Sequence, residues 1–253
     1  MQINSPAGRV AVITGGSRGL GKAMAIALAA DGVAVALVAR DREKLQETAA
    51  IVREAGGAAE IFLADVTKEG DVDRLQKEVM SRFGKVHILI NNAGVNLRKQ
   101  IHEFLLAEWH SVIDANLTAS VFLMCRAFVP QMKDLGFGRI INLTSIMSHV
   151  SLPGRAAYSS SKTALLGLNR ALALELAPHD ITVVGISPGP FATEMNTPIV
   201  NNPELNAQFI SKIPVGRWGK VEEVGQLARF LCSPDAGFIT GTDIVIDGGW
   251  CAQ

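Results

Sequence analysis

Arg9-Val10-Ala11-Val12-Ile13-Thr14-Gly15-Gly16-Ser17-Arg18-Gly19-Leu20-Gly21-Lys22-Ala23-Met24-Ala25-Ile26-Ala27-Leu28 runs from a short apolar segment through a glycine-rich turn into a run of helix formers. Valine and isoleucine favour a strand, while alanine, leucine, methionine and lysine favour a helix, so the glycines mark the point where one passes into the other. Glycines at 15, 19 and 21 permit a sharp turn, a close approach of backbone to a pyrophosphate and tight packing of helix on sheet. The free amides at the helix start attract the anion. With Ser17, Arg18 and Leu20 between the glycines, the stretch predicts a dinucleotide-binding unit; a plain tight turn would use the same glycines for backbone freedom alone.

Outward from this unit, apolar runs recur at Val33–Val38, Glu60–Leu63, His87–Ile90, Arg139–Leu143, Ile181–Ile186 and Asp243–Ile246. Runs such as Val33-Ala34-Val35-Ala36-Leu37-Val38 are apolar at consecutive positions, which suits strands buried on both faces. Asp41 is placed to cap a helix through Glu54, stopped by Gly56-Gly57, and a further helix spans Lys68–Phe83 and closes at Gly84. The alternation predicts an α/β fold: a single Rossmann-like doubly wound domain over residues 1–253, with a seven-stranded parallel sheet between helices. Residues 191–214 interrupt the pattern with Pro198, Pro203, Pro214 and Asn201-Asn202, and read as a mobile substrate lid. Trp109, Trp218 and Trp250 read as packing residues.

Hydrophobic residues make up 48% of the chain and charged residues 19%, which argues against disorder. Because 24 Lys+Arg balance 24 Asp+Glu, no general attraction to nucleic acid or an anionic membrane is expected, and phosphate recognition must be local. Cys125, Cys232 and Cys251 lie far apart, and the histidines form no HxxxH or HExxH pattern, so neither a disulfide framework nor a metal site is expected. The start MQINSPAGRV lacks a basic cluster followed by an apolar core, and the longest apolar stretch, near Met24–Ala39, is broken by Asp31-Gly32; a cytoplasmic protein is expected.

The second run ends Val38-Ala39-Arg40, where many dinucleotide sites carry an acid for the ribose hydroxyls. A small residue beside the Arg40 guanidinium suits a 2′-phosphate, with Arg18 approaching from the other side, so NADP is expected over NAD.

Ser145 closes the fifth run, and thirteen residues later comes Tyr158-Ser159-Ser160-Ser161-Lys162. Residues four apart share a helix face, which sets an ammonium beside a phenol and favours the phenolate. Taken alone, Tyr-x-x-x-Lys is ordinary surface decoration. Its weight comes from convergence with Asn91-Asn92-Ala93-Gly94, Asn116 and Ser187-Pro188-Gly189-Pro190, all at strand ends or in the segments after them. On these motifs, together with Thr14-Gly15-x-x-x-Gly19-x-Gly21 and the ending Ile239–Gly249, the sequence resembles the short-chain dehydrogenase/reductase family across essentially its whole length.

The resemblance implies that Tyr158 is the general acid in carbonyl reduction and the general base in alcohol oxidation, with Ser145 hydrogen-bonding the substrate oxygen. It implies that Lys162 lowers the Tyr158 pKa and binds the nicotinamide ribose, and that Asn116 holds a water linking Lys162 to solvent. Asp65, with Val66 behind it, would read the adenine; Asn92 and Gly94 would line the cofactor path; Pro188, Gly189 and Thr193 would contact the nicotinamide half. The helix from Tyr158 to Ala177 is apolar on more than one side, and the resemblance implies a homotetramer with such helices at its interface. Met147, His149 and Met195 are candidates for the substrate pocket, as is Arg98, whose guanidinium suits a substrate carboxylate.

Within the family the pattern is similar both to 3-oxoacyl-acyl-carrier-protein reductases and to gluconate 5-dehydrogenase-like sugar-acid enzymes. The expectation is an NADP-dependent oxidoreductase that interconverts a secondary alcohol and a ketone, with a sugar acid or other oxo acid as the favoured small-molecule substrate. A non-catalytic dinucleotide sensor or scaffold is the competing class. The presence of Ser145, Tyr158, Lys162 and Asn116 together speaks against it.

Overall fold

Strand β1, Val10–Thr14, is buried at every position, and it lies inside the sheet, third from one edge, in the computed structural model, which describes residues 7–253. The others are β2 Ala34–Ala39, β3 Ala59–Leu63, β4 Ile88–Asn91, β5 Gly138–Leu143, β6 Ile181–Pro188 and β7 Asp243–Ile246. They form one seven-stranded sheet in the order β3-β2-β1-β4-β5-β6-β7, parallel at every pairing. The chain reverses direction of winding between β1 and β4, which opens a crevice at the carboxyl ends of those two strands.

Alternate residues of each strand enter different cores. Ile13, Leu37, Ile141 and Ile186 pack on one face with Met24, Leu28, Leu45 and Leu231, whereas Val12, Val38, Ile140 and Val183 pack on the other with Leu75, Val79, Phe128 and Leu165. Burial on both faces is the physical reason the strands read as unbroken apolar runs.

Helix α1, Gly19–Ala29, follows the glycine-rich turn, and α2, Arg42–Glu54, begins where the Asp41 carboxylate accepts the Lys44 amide at 3.1 Å. Helix α3, Glu69–Phe83, ends on Gly84 in the left-handed conformation, as expected. Helix α4, Leu106–Ile113, widens into a π-helical stretch, Asp114–Leu123, before α5, Met124–Met132. This combined run surpasses the Met24–Ala39 stretch: by length and composition it is apolar enough to cross a membrane. Over half of its most apolar window is buried within the fold, with Met124, Phe128 and Met132 in the second core.

Helix α6, Ala156–Leu176, starts two residues earlier than expected. After β6 come two short helices, α7 Thr197–Val200 and α8 Pro203–Ile210, and then α9, Val221–Leu231, which packs on α1. The segment carrying α7 and α8 is tied at one end by Gly219 N to Pro190 O (2.9 Å) and at the other by Val215 N to Gly248 O (3.1 Å). Phe209 of α8 stacks on Trp218 at 4.8 Å and lies 5.3 Å from Trp250, while Trp109 meets Phe104 edge-on.

Candidate active site

The glycine-rich turn packs closely on itself and on Asn92-Ala93. Gly15 has a positive φ of 64°, and a Cβ on Gly21 would overlap the Gly15 carbonyl oxygen, so the turn tolerates no side chain at either place. Arg18 at the N-cap of α1 makes no side-chain cap bond and the first turn holds no acid, so its amides are open to an anion at the positive end of the helix. These features fit a pyrophosphate. Ser17 is held through its carbonyl by the Thr48 hydroxyl at 3.0 Å, and Leu20 packs against the core. Asn92 donates its side-chain amide to Thr14 O (3.0 Å) and Gly15 O (3.2 Å), so it braces the turn. From across the crevice, the Thr193 methyl comes within 3.9 Å of where a Cβ on Gly19 would sit.

At the far end of the crevice, Arg40 follows β2 with its side chain 73% exposed, 3.9 Å from an Asp65 oxygen. Burial works to raise the Asp65 pKa, but hydrogen bonds from the Thr67 amide and hydroxyl, aided by Arg40 and Lys68, hold it below the ordinary value. Val66 is buried behind it. Arg18 pairs with Glu194 at 3.1 Å, and Lys44 reaches the same carboxylate at 3.5 Å.

Ser145, Tyr158 and Lys162 meet beyond the end of β5. Ser145 caps a short 3₁₀ turn, Ile146–Ser148, its hydroxyl accepting the Met147 amide at 3.1 Å. Tyr158 and Lys162 occupy successive turns of α6, with Nζ 5.9 Å from the phenol ring centre and donating to Leu143 O at 2.5 Å. Burial pulls the Lys162 ammonium down to about 8. The Tyr158 phenol departs from the sequence expectation: burial pushes it above its ordinary value, with the Ser145 hydroxyl and the Arg155 charge pulling the other way.

Asn116 lies in the π-helical stretch, a common feature of functional sites. Its Oδ1 accepts the Val95 amide at 2.7 Å, and its Nδ2 donates to Val95 O (2.9 Å) and Ser161 Oγ (3.0 Å). The side chain thus pins the loop after Gly94 to α6. A Cβ on Gly94 would stand 3.0 Å from Asn116 Oδ1 and 3.7 Å from Lys162 Nζ, so the three residues converge. Pro188 ends β6, and Gly189 is fixed by its amide on Ile246 O at 2.9 Å.

Among the substrate candidates, Met147 is buried beside Ser145 and Arg98 is exposed. His149 turns towards β7, its Nε2 lying 2.7 Å from Asp243 and 3.2 Å from Ser187 Oγ. The Met195 side chain lies outside the described residues. Arg155, which sequence reasoning passed over, precedes α6 and feels the charges of both Arg98 and Tyr158. The signal was its place three residues before Tyr158, a spacing that shares a helix face. Lys99 N bonds to Gly154 O at 3.2 Å, which stitches the Arg98 loop to the one that carries Arg155.

Comparison with known proteins matches the same span. A family model described as enoyl-(acyl carrier protein) reductase covers residues 15–251. A 3-oxoacyl-[acyl-carrier-protein] reductase from Synechocystis is 39% identical over 244 residues, covering 95% of this chain and 96% of the relative. The crystal structure of a provisionally assigned gluconate dehydrogenase from Agrobacterium tumefaciens superposes with a TM-score of 0.95 at 36% identity, covering 100% of both chains. A provisionally assigned NAD(P)-dependent gluconate 5-dehydrogenase from Beutenbergia cavernae, solved with bound NADP at low occupancy, gives 0.92 at 34% identity, with 98% and 99% coverage.

Proposed function

The chain belongs to the short-chain dehydrogenase/reductase family, and from that premise we propose an NADP-dependent oxidoreductase that interconverts a secondary alcohol and a ketone on a small oxo or sugar acid. The observation that carries the reading is the meeting of Ser145, Tyr158 and Lys162 beyond the end of β5.

In the reducing direction, Ser145 donates a hydrogen bond to the substrate carbonyl oxygen and Tyr158 delivers a proton to that oxygen. Burial keeps the phenol protonated at rest, which suits a general acid. The Lys162 ammonium stands close enough to stabilise the phenolate left behind. A nicotinamide dinucleotide held at this site would supply the hydride for reduction and accept it for oxidation. In oxidation the phenolate takes the alcohol proton.

The exposed Arg40 guanidinium, with alanine rather than an acid at 39, supports NADP, as does the NADP in the Beutenbergia structure. For this site we assign the adenine end to Asp65 and Val66, the pyrophosphate to residues 15–21, the lining of the cofactor path to Asn92 and Gly94, and the nicotinamide half to Pro188, Gly189 and Thr193. Residues 191–214 act as a lid hinged between their two anchored ends. Arg98 and Arg155 support an acidic substrate; the Synechocystis relative supports a second reading, reduction of a 3-oxoacyl group on acyl carrier protein. The exposed Ala164, Ala171 and Leu174 on the outer face of α6 support a homotetramer, and three free cysteines support a cytoplasmic location.

Tyr158→Phe tests the mechanism. It should keep NADPH binding and lose turnover by about 10²-fold or more, because only the proton-transferring oxygen is removed. Near-normal turnover in that variant refutes the mechanism. Tight NADPH binding without oxidation by any of a panel of ketones, sugar acids and acyl thioesters would favour a sensor.

A further inference from the structure

Asp243 opens β7, and its side chain is only 8% exposed. A buried carboxylate is costly unless hydrogen bonds compensate it. Here Oδ1 accepts from Thr144 Oγ1 at 2.6 Å, while Oδ2 lies 2.5 Å from Ser187 Oγ and 2.7 Å from His149 Nε2. The neighbouring strand is notched to receive it: Gly185 pairs with Asp243 in register, and a Cβ there would overlap Oδ1. The buried Asn169 Nδ2, with no hydrogen-bond partner, borders the same notch, 2.8 Å from that Cβ position.

The groups that hold the carboxylate are the ones that hold Ser145. Thr144 directly precedes it, and Ser187 Oγ lies 2.9 Å from the Ser145 carbonyl oxygen. Ser187 has one proton for two acceptors. Thr144 donates to Oδ1, and the single Ser187 proton is shared between Oδ2 and the Ser145 carbonyl oxygen. That carbonyl also accepts the Ser148 amide at 2.8 Å, so the whole Ser145 peptide is fixed from both sides. Group placement matters at this scale: an error of about 1 Å in a reacting group can cost about 10²-fold in rate.

We propose that Asp243 is a positioning residue for Ser145, acting through Thr144, Ser187 and His149 to aim the Ser145 hydroxyl at the oxygen shared by Tyr158 and substrate. The proposal rests on the reading of Ser145 as the substrate-oxygen donor. Its test needs no substrate, because Tyr158 is the single tyrosine of the chain and its phenolate absorbance reports on it alone.

The phenolate of the cofactor-free protein is measured by near-ultraviolet absorbance at the highest pH that leaves the circular dichroism unchanged. Asp243→Ala should lower the phenolate-to-phenol ratio by roughly tenfold or more, the effect of losing the hydrogen bond from Ser145. Ser187→Ala, which removes only the link, should act in the same direction and serves if Asp243→Ala fails to fold. In a Ser145→Ala background neither change should lower the ratio further. No fall in either variant, or an equal fall with and without Ser145, overturns the proposal. The overall function is judged separately by turnover of Tyr158→Phe, so the two can fail independently.

Discussion

Replacing Lys162 by methionine removes an ammonium that the fold holds almost out of water, 5% exposed, with the Leu143 carbonyl as its hydrogen-bond partner. Burial takes this group from 10.5 to about 8, which corresponds to roughly 3 kcal/mol of selective cost to the charged form. Below the folded value the ammonium is charged in both folded and unfolded chains, and the folded state bears the full cost. Between about 8 and the unfolded value near 10.4, the unfolded chain binds more protons, so the stability of the unmutated protein rises with pH. Methionine does not titrate. The stability of Lys162→Met relative to the parent should therefore fall by roughly 3 kcal/mol as pH rises from about 7 to about 10.5. At the lower pH the sign of the difference is not diagnostic, since the lost bond to Leu143 is worth about 1.5–3 kcal/mol in the opposite sense. Urea unfolding of both proteins, without cofactor and at one protein concentration, measures the slope by linear extrapolation. A difference that stays flat over this range would refute the claim that Lys162 is carried into the fold at a desolvation cost.

Direct titration of the single tyrosine should place Tyr158 above its ordinary value of 10.0 in the free protein, and adding NADP⁺ should bring it down; a free-protein midpoint below 10.0 contradicts the burial argument. Arg40→Ala should raise the KM for NADPH by about tenfold or more while leaving that for NADH nearly unchanged, the expected loss for a charge-assisted contact to a 2′-phosphate. Equal effects on the two cofactors would remove Arg40 from phosphate recognition. Arg98→Ala should weaken an oxo acid much more than a neutral ketone of similar size, and equal weakening would rule out carboxylate recognition by this residue.

The parts of the molecule legible in the sequence are those whose requirements are local or periodic. The turn at 15–21 depends on backbone freedom and helix-end amides within a few residues, and the strands declare themselves because each face enters a core. Boundaries moved by a residue, as where β2 runs Ala34–Ala39 rather than Val33–Val38, because a strand's end is set by its neighbours' hydrogen bonds. Tyr158 exposed a deeper gap. The spacing to Lys162 showed the nearby charge, but the larger influence on the phenol is burial, which sums contributions from the whole fold.

His149 shows why the site's second layer stayed hidden. Four residues after Ser145, it would share a face with it on an α-helix, yet the chain leaves β5 through a tighter 3₁₀ turn that swings the imidazole towards β7. There it meets Asp243, 94 residues away in sequence. Arg18 meets Glu194 across 176 residues in the same manner. That Gly185 makes room for Asp243, and that Thr144 and Ser187 connect it to Ser145, depends on the register of β5, β6 and β7, which only the assembled sheet defines.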